Sequence, residues 1–198
     1  MKNYDFIDCG ANEGKDILNF YSNSSKEPKK VNEFQIVAFE ANRRLIPKLS
    51  NLKSMINNLT IIDKAVSNVD GVVSFRVGRN KYSSSINPAK NNFKVAEEKL
   101  IPCIDFSRWL SDNTAEGDYV IVNLDVEGAE YDIVDSLFES GMIGRIKKLY
   151  IEFHGLKLDG FPMKREEKMV QDLIDYFGKD VYIYQYYQHE EFLKLNVA

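Results

Sequence analysis

Five apolar runs of this chain, at 4–8, 34–40, 59–63, 119–125 and 149–152, each finish on an acid: Asp8, Glu40, Asp63, Asp125 and Glu152. Runs this short, rich in isoleucine, valine and aromatic residues and separated by amphipathic stretches, read as parallel strands alternating with helices. In one parallel sheet all five carboxylates gather at the edge where open α/β sheets bind their ligands. The pattern proposes a fold and a place for the site together. An acidic, polar edge suits a cationic or hydroxyl-rich ligand.

The stretches between the runs fit that alternation. A helix is predicted over 14–21. Asn42 reads as the N-cap of a helix running to about residue 57, with Leu45, Leu49, Leu52 and Ile56 recurring at three- and four-residue steps. Asp70-Gly71 is a hairpin signal, followed by a strand through Val72, Val73, Phe75 and Val77. A polar loop from residue 78 and a run through 99–104 form an insertion over 78–104 beside the site, and Asp105 caps a short helix holding Trp109 and Leu110. After the turn at Gly128 a helix is buried through Ile133, Val134, Leu137 and Phe138, and another spans 164–177. The runs at 181–187 and 192–197 suggest a terminal antiparallel pair. The expected architecture is a single α/β domain over 1–198, Rossmann-like and doubly wound, with a mostly parallel sheet and that antiparallel C-terminal pair.

Composition narrows the function classes. At 198 residues the chain can bury one good core, and no tract is long and uncharged enough to span a bilayer. The start of the chain enters a strand pattern directly, without the basic and apolar regions of a secretory signal, so a cytoplasmic setting is expected. A net charge of −4 argues against a nucleic-acid binder that relies on bulk electrostatics. The lysines at 26, 29 and 30, or Lys147 and Lys148, could form a local basic patch, though such runs are ordinarily solvated faces. Cys9 and Cys103 lack metal-ligand spacing and read as small buried hydrophobes.

The first turn, Asp8-Cys9-Gly10-Ala11-Asn12-Glu13-Gly14, joins a strand to a helix as nucleotide-binding turns do. Phosphate sites favour ligand negative charge, but here Asp8 and Glu13 flank the turn, and Lys15 is followed by Asp16 rather than Ser or Thr. Two carboxylates near a pyrophosphate cost roughly 1 to 4 kcal/mol per close pair. A ligand with a cationic amino-acid end, an adenosine and no phosphate fits better, and S-adenosylmethionine has that description. Gly10 lets the backbone approach such a ligand, Asp8 can sit near its positive charge, and Glu40 can accept both ribose hydroxyls, like the acid that follows the second strand of dinucleotide sites.

With these residues in place, the chain resembles a known family. Phe6 to Gly14, Ala38-Phe39-Glu40-Ala41-Asn42, Ala65-Val66-Ser67 before Asp70-Gly71, Ser83-Ser84-Ser85, Leu124-Asp125-Val126-Glu127-Gly128-Ala129-Glu130 and Ile151-Glu152-Phe153-His154 look like the FkbM family of S-adenosylmethionine-dependent methyltransferases. The match is ordered from residue 4 to about 155 and is specific mainly through Asp125 to Glu130. Asn123 stands where the family often has lysine, and Ala41 where it often has proline.

The resemblance implies a class I methyltransferase fold and methyl transfer to a hydroxyl of a sugar, such as a terminal glycan residue. Alternatives are transfer to a lipid, a polyketide or another small hydroxylated molecule, or a non-catalytic module that binds adenosylmethionine or a glycan. It carries cofactor contacts to Asp8, Gly10, Ala11, Asn12, Gly14, Glu40 and Asn42, with Asp63 and Ala65 on the adenine side. Asp125 and Glu127 fall near the transferred methyl, and Ser84, Ser85 and Glu152 on the acceptor side.

Methyl transfer from a sulfonium needs acceptor oxygen, methyl carbon and sulfur in line, and a base for the acceptor proton. Asp125 and His154 are the candidates for that base. His189 reads as structural. Glu127 and Glu130 open a helix, where acids meet the macrodipole favourably whatever else they do. The carboxylates of Asp125 and Glu152 with His154 form an alternative magnesium site, less favoured than a metal-free one. Tyr182, Tyr184, Tyr186 and Tyr187 could stack on a sugar but read first as a half-buried strand.

Overall fold

The computed structural model describes residues 3–23, 31–80 and 83–185. All five acid-tipped runs are strands, β1 (Tyr4–Cys9), β2 (Gln35–Phe39), β3 (Leu59–Ile62), β7 (Tyr119–Leu124) and β8 (Ile146–Phe153), and they pair in parallel with β9 (Val181–Gln185) in the order β3-β2-β1-β7-β8-β9. Chain progress along the sheet reverses between β1 and β7. That gap is the switch point at which doubly wound sheets bind ligands.

The strands read as almost unbroken apolar runs because both faces of the sheet are covered. Ile7, Val122, Leu124, Ile151 and Phe153 face one side, packing with helices α3 (Phe106–Asn113), α4 (Glu130–Glu139) and α5 (Met163–Phe177). Phe6, Ile36, Ala38 and Ile121 face the other, with α1 (Lys15–Asn23) and α2 (Ile46–Ser50). Parallel strands place their C-terminal ends at one edge, so Asp8 and Glu152, next to last in β1 and β8, and Glu40, Asp63 and Asp125, just past β2, β3 and β7, lie along it.

A second, three-stranded sheet holds β4 (Ala65–Ser67), β5 (Gly71–Gly78) and β6 (Val95–Asp105). Here the expected hairpin at Asp70-Gly71 is corrected. Strand β6 lies between β4 and β5, parallel to the first and antiparallel to the second. The Asp70 side chain accepts from the Asp105 amide (3.2 Å) and pairs with Arg108 (3.1 Å), which ties the turn to the end of β6 rather than closing a two-strand ribbon. Asp105 caps α3 as expected, accepting from the Arg108 amide at 3.1 Å.

The helix expected from residue 42 starts later and is short. α2 begins at Ile46 and passes into a 3-10 turn over Asn51–Ser54, while the Asn42 side chain accepts from the Arg44 amide at 3.2 Å in a turn of its own. Pro47 explains this. Proline lacks the amide hydrogen and is accommodated in a helix's first turn, where α2 places it, but not five residues in. At the C-terminal end β9 runs parallel to β8; its expected antiparallel partner at 192–197, with Tyr186, Tyr187 and His189, lies outside the described residues, as do lysines 26, 29 and 30. Among the described residues no helix is long and apolar enough to cross a membrane.

Candidate active site

The turn after β1 lies against the end of β7. Gly10 has φ +93°, and a Cβ there would stand 1.8 Å from the Asp125 carbonyl oxygen, so only glycine lets the two strand ends approach this closely. The amides of Gly10 and Ala11 both donate to the Phe39 carbonyl (3.0 and 2.9 Å), which binds the turn to β2. Glu40, buried just past β2, accepts from the Asn12 amide with one carboxylate oxygen and from the Asn42 amide with the other, each at 2.6 Å. Burial raises the Glu40 pKa, and these backbone bonds work against the rise.

Above this frame lies a cavity lined by Gly10, Asn12, Glu40, Asn42, Ala65, Ser84, Asp125 and Glu127. Strands β4 and β5 of the small sheet form one wall through Ala65, Val66 and Phe75. Other residues expected at the cofactor take different places. Ala11 is buried in the core beneath the turn, Gly14 faces Leu49 and Leu52, and Asp63 pairs with Arg43 at 2.6 Å. None of the three lines the cavity.

Asp8 is wholly buried, with Oδ1 accepting from Asn123 Nδ2 at 2.9 Å and Oδ2 without a hydrogen-bond partner. Burial drives its pKa up to about 8; the Asn123 bond opposes this, and Asp16, Asp125 and Glu40 add to it. A folded pKa above the unfolded value means stability present at acid pH and lost as pH rises through the folded pKa. Asp8→Asn removes that loss. Its gain in melting temperature over the wild type is expected to be larger near about pH 9 than near about pH 5, measured by thermal melts; an equal change at both would mean Asp8 folds without its proton.

The turn after β7 carries the most specific motif. Glu127 and Gly128 both have positive φ (60° and 114°), and Glu130, fully buried at the start of α4, reaches back beneath them. Its carboxylate accepts from the amides of Val126 (3.1 Å) and Gly128 (2.8 Å) and contacts His154 Nδ1 at 2.9 Å. The serine loop is strapped onto this turn from outside: Ser85 Oγ donates to the Glu127 carbonyl (2.7 Å) and Asn87 Nδ2 to that of Gly128 (2.6 Å). Ser85 is thus a buried fastening, while its neighbour Ser84 lines the cavity.

His154, just past β8 and 1% exposed, is surrounded by acids. Its Nε2 lies 3.3 Å from Glu127 and from Glu152 and 3.6 Å from Asp125. Burial disfavours its charge, but Glu130, bonded to Nδ1, together with Glu152 and Asp125 outweighs burial and raises the His154 pKa. Asp125 also rises: burial dominates, His154 opposes it, and Glu152, Glu130 and Asp16 reinforce it. The arrangement favours an imidazolium beside a carboxyl group that holds its proton well above the usual aspartate range.

Sequence reasoning missed two lysines here. Lys90, its side chain fully buried, pairs with Glu127, and Lys157 Nζ stands 4.0 Å from Glu127 and 3.9 Å from Glu152. Burial and the Lys157 charge pull the Lys90 pKa down to about 8. Nothing in their local pattern marks them: Lys90 sits in a polar loop and Lys157 in a short turn between two leucines. Asp125, Glu130 and His154 each offer a ligand atom within 4.8 Å of the others. The Glu130 oxygens are already engaged by amides and His154, and Lys90 and Lys157 bring positive charge to the other two glutamates. This donor set is therefore a poor fit to a divalent cation.

A second cavity, of about 370 Å³, opens between α1 and the ends of β7, β8 and β9. Asp16, Asn19 and Asn23 line it from the helix, and Asn123, Glu152 and Tyr184 from the sheet. Asp125 lines both cavities.

The strand order and the glycine turn at the switch point define a Rossmann-like α/β fold, with a cavity above the turn. The family model of the methyltransferase FkbM domain matches residues 8–188, and the chain belongs to that family. Among solved structures, a methyltransferase FkbM from Methylobacillus flagellatus KT superposes with a TM-score of 0.52 at 13% identity, over 85% of this chain and 37% of that protein, a likeness of fold. The chain thus spans well under half the length of that relative. No curated protein sequence matches it significantly.

Proposed function

We propose that the protein transfers a methyl group from S-adenosylmethionine to a hydroxyl of a small polyhydroxylated acceptor, a sugar being the best fit. The observation that carries this reading is Asp125, which among the described residues is the one carboxylate shared by two cavities at the switch point. The first cavity suits the donor. It offers the Glu40 carboxylate to a ribose, the Asn12 and Asn42 side chains to polar groups, and the apolar wall of Ala65, Val66 and Phe75 to an adenine. The second suits the acceptor, because amides, carboxylates and a tyrosine are the groups that bind hydroxyls.

A methyl carbon passing in line from sulfur to oxygen then crosses beside Asp125, which accepts the hydroxyl proton. His154, kept cationic by its acids, holds Asp125 in place rather than acting as the base. Glu127, tied by Lys90, stands at the donor side of the same crossing. Calorimetric titration tests the donor: S-adenosylmethionine and S-adenosylhomocysteine are expected to bind, and NAD and ATP to give no heat. Binding of NAD or ATP in their stead removes this reading.

A further inference from the structure

We infer that the cleft between α1 and β7–β9 takes a positively charged acceptor, an amino sugar or amino alcohol, and turns away phosphorylated and carboxylated ones. This rests on the methyl-transfer reading for what the cleft does, but the charge preference is set by its walls.

A helix lying on a sheet ordinarily buries apolar side chains against it. α1 does so through Ile17 and Phe20, while its exposed Asp16, Asn19 and Asn23, at three-, four- and seven-residue spacing, line the cleft beside it. The sheet contributes Asn123, Glu152 and Tyr184, with Phe6 and Tyr150 beside them and Asp125 just past β7. The cleft thus combines these polar groups with the aromatic rings of Phe6, Phe20 and Tyr150.

Its charge has one sign. Three carboxylates line it, from Asp16, Asp125 and Glu152, and among the described lining residues there is no lysine, arginine or histidine. The cations nearby, His154 and Lys157, stand 3.3 and 3.9 Å from Glu152, and His154 stands 3.6 Å from Asp125, but neither lines the cleft. The carboxylates feel one another across the gap: Glu152 raises the Asp16 pKa after burial, and both raise that of Asp125. An ammonium group between them relieves this repulsion, whereas a phosphate adds to it. Tyr150 and Tyr184 supply aromatic surface for a sugar ring beside such a cation.

Saturation-transfer NMR on the full chain with S-adenosylhomocysteine bound reads this directly, using glucosamine, N-acetylglucosamine, glucose and glucose 6-phosphate as probes. Glucosamine is expected to bind best, the two neutral sugars more weakly, and glucose 6-phosphate not at all. Asp16→Asn is expected to weaken glucosamine about 2- to 5-fold, and raised salt to do the same to the wild type, leaving glucose unchanged. A melting curve confirms that the variant is folded; Asp16→Ser is the substitute if it is not. Equal binding of all four sugars, no binding of glucosamine, or preference for the phosphate overturns the inference. Repeating the glucosamine titration without S-adenosylhomocysteine separates this from the donor: a cleft that binds glucosamine in a protein that fails to bind either adenosyl ligand leaves the charge preference standing and removes only methyl transfer.

Discussion

Glu40→Ala is expected to lower affinity for S-adenosylmethionine by about 100- to 1000-fold while leaving acceptor binding close to the wild-type value. The carboxylate has two tasks in the proposed site. It accepts the amides of Asn12 and Asn42 at 2.6 Å each, fixing the glycine turn to the start of the next connection, and it keeps lone pairs for two ribose hydroxyls. Two hydrogen bonds to a charged acceptor contribute about 3 to 4 kcal/mol together, and each 1.4 kcal/mol is tenfold in affinity.

Glu40→Gln separates charge from shape. The amide fills the same space, but its nitrogen would confront one of the two backbone N–H donors, so its loss is expected to approach that of alanine. Calorimetry with S-adenosylhomocysteine measures both variants, and ligand-observed NMR measures the acceptor side. A glutamine variant that binds like the wild type, or equal loss on both sides, would assign Glu40 to general support of the fold.

Where the sequence was legible, local rules and tertiary structure agreed. Strand runs ending in Asp8, Glu40, Asp63, Asp125 and Glu152 announce a parallel sheet because period, length and turn residues all point one way. The position of Pro47 could have shortened the helix expected from residue 42, since the missing amide hydrogen is a local fact. What stayed hidden depends on distant parts of the chain meeting. The order of β4, β6 and β5 depends on β6 arriving from beyond the serine loop to pair with both other strands, and nothing near Asp70-Gly71 records that. Lys90 and Lys157 are two lysines among many until the fold brings them to Glu127 and Glu152. The motif at Asp125 to Glu130 names important residues without separating their tasks: Glu130 supports the turn from below, whereas Asp125 and Glu127 face a cavity.

Asp125→Asn is expected to lower turnover by about 10² to 10⁴, the usual contribution of a positioned base, with far smaller change in cofactor affinity. Asparagine keeps the size of the side chain, and the backbone bond from residue 125 to the Cys9 carbonyl (3.0 Å) does not depend on it, so the strand ends stay together. The pH dependence identifies the base. In the proposed mechanism the carboxylate form is the active one, so wild-type turnover is expected above the folded pKa of Asp125 and lost as pH falls through it. Burial puts that limb well above the ordinary aspartate range, because the His154 charge offsets only part of the rise caused by desolvation and by Glu152, Glu130 and Asp16. His154, with its own pKa raised by the same acids, keeps its proton across the limb. In Asp125→Asn the limb disappears along with most of the rate, and in His154→Gln it shifts to higher pH as the opposing cation is lost. A limb that persisted in Asp125→Asn and vanished in His154→Gln would make the histidine, in its neutral form, the group that takes the proton.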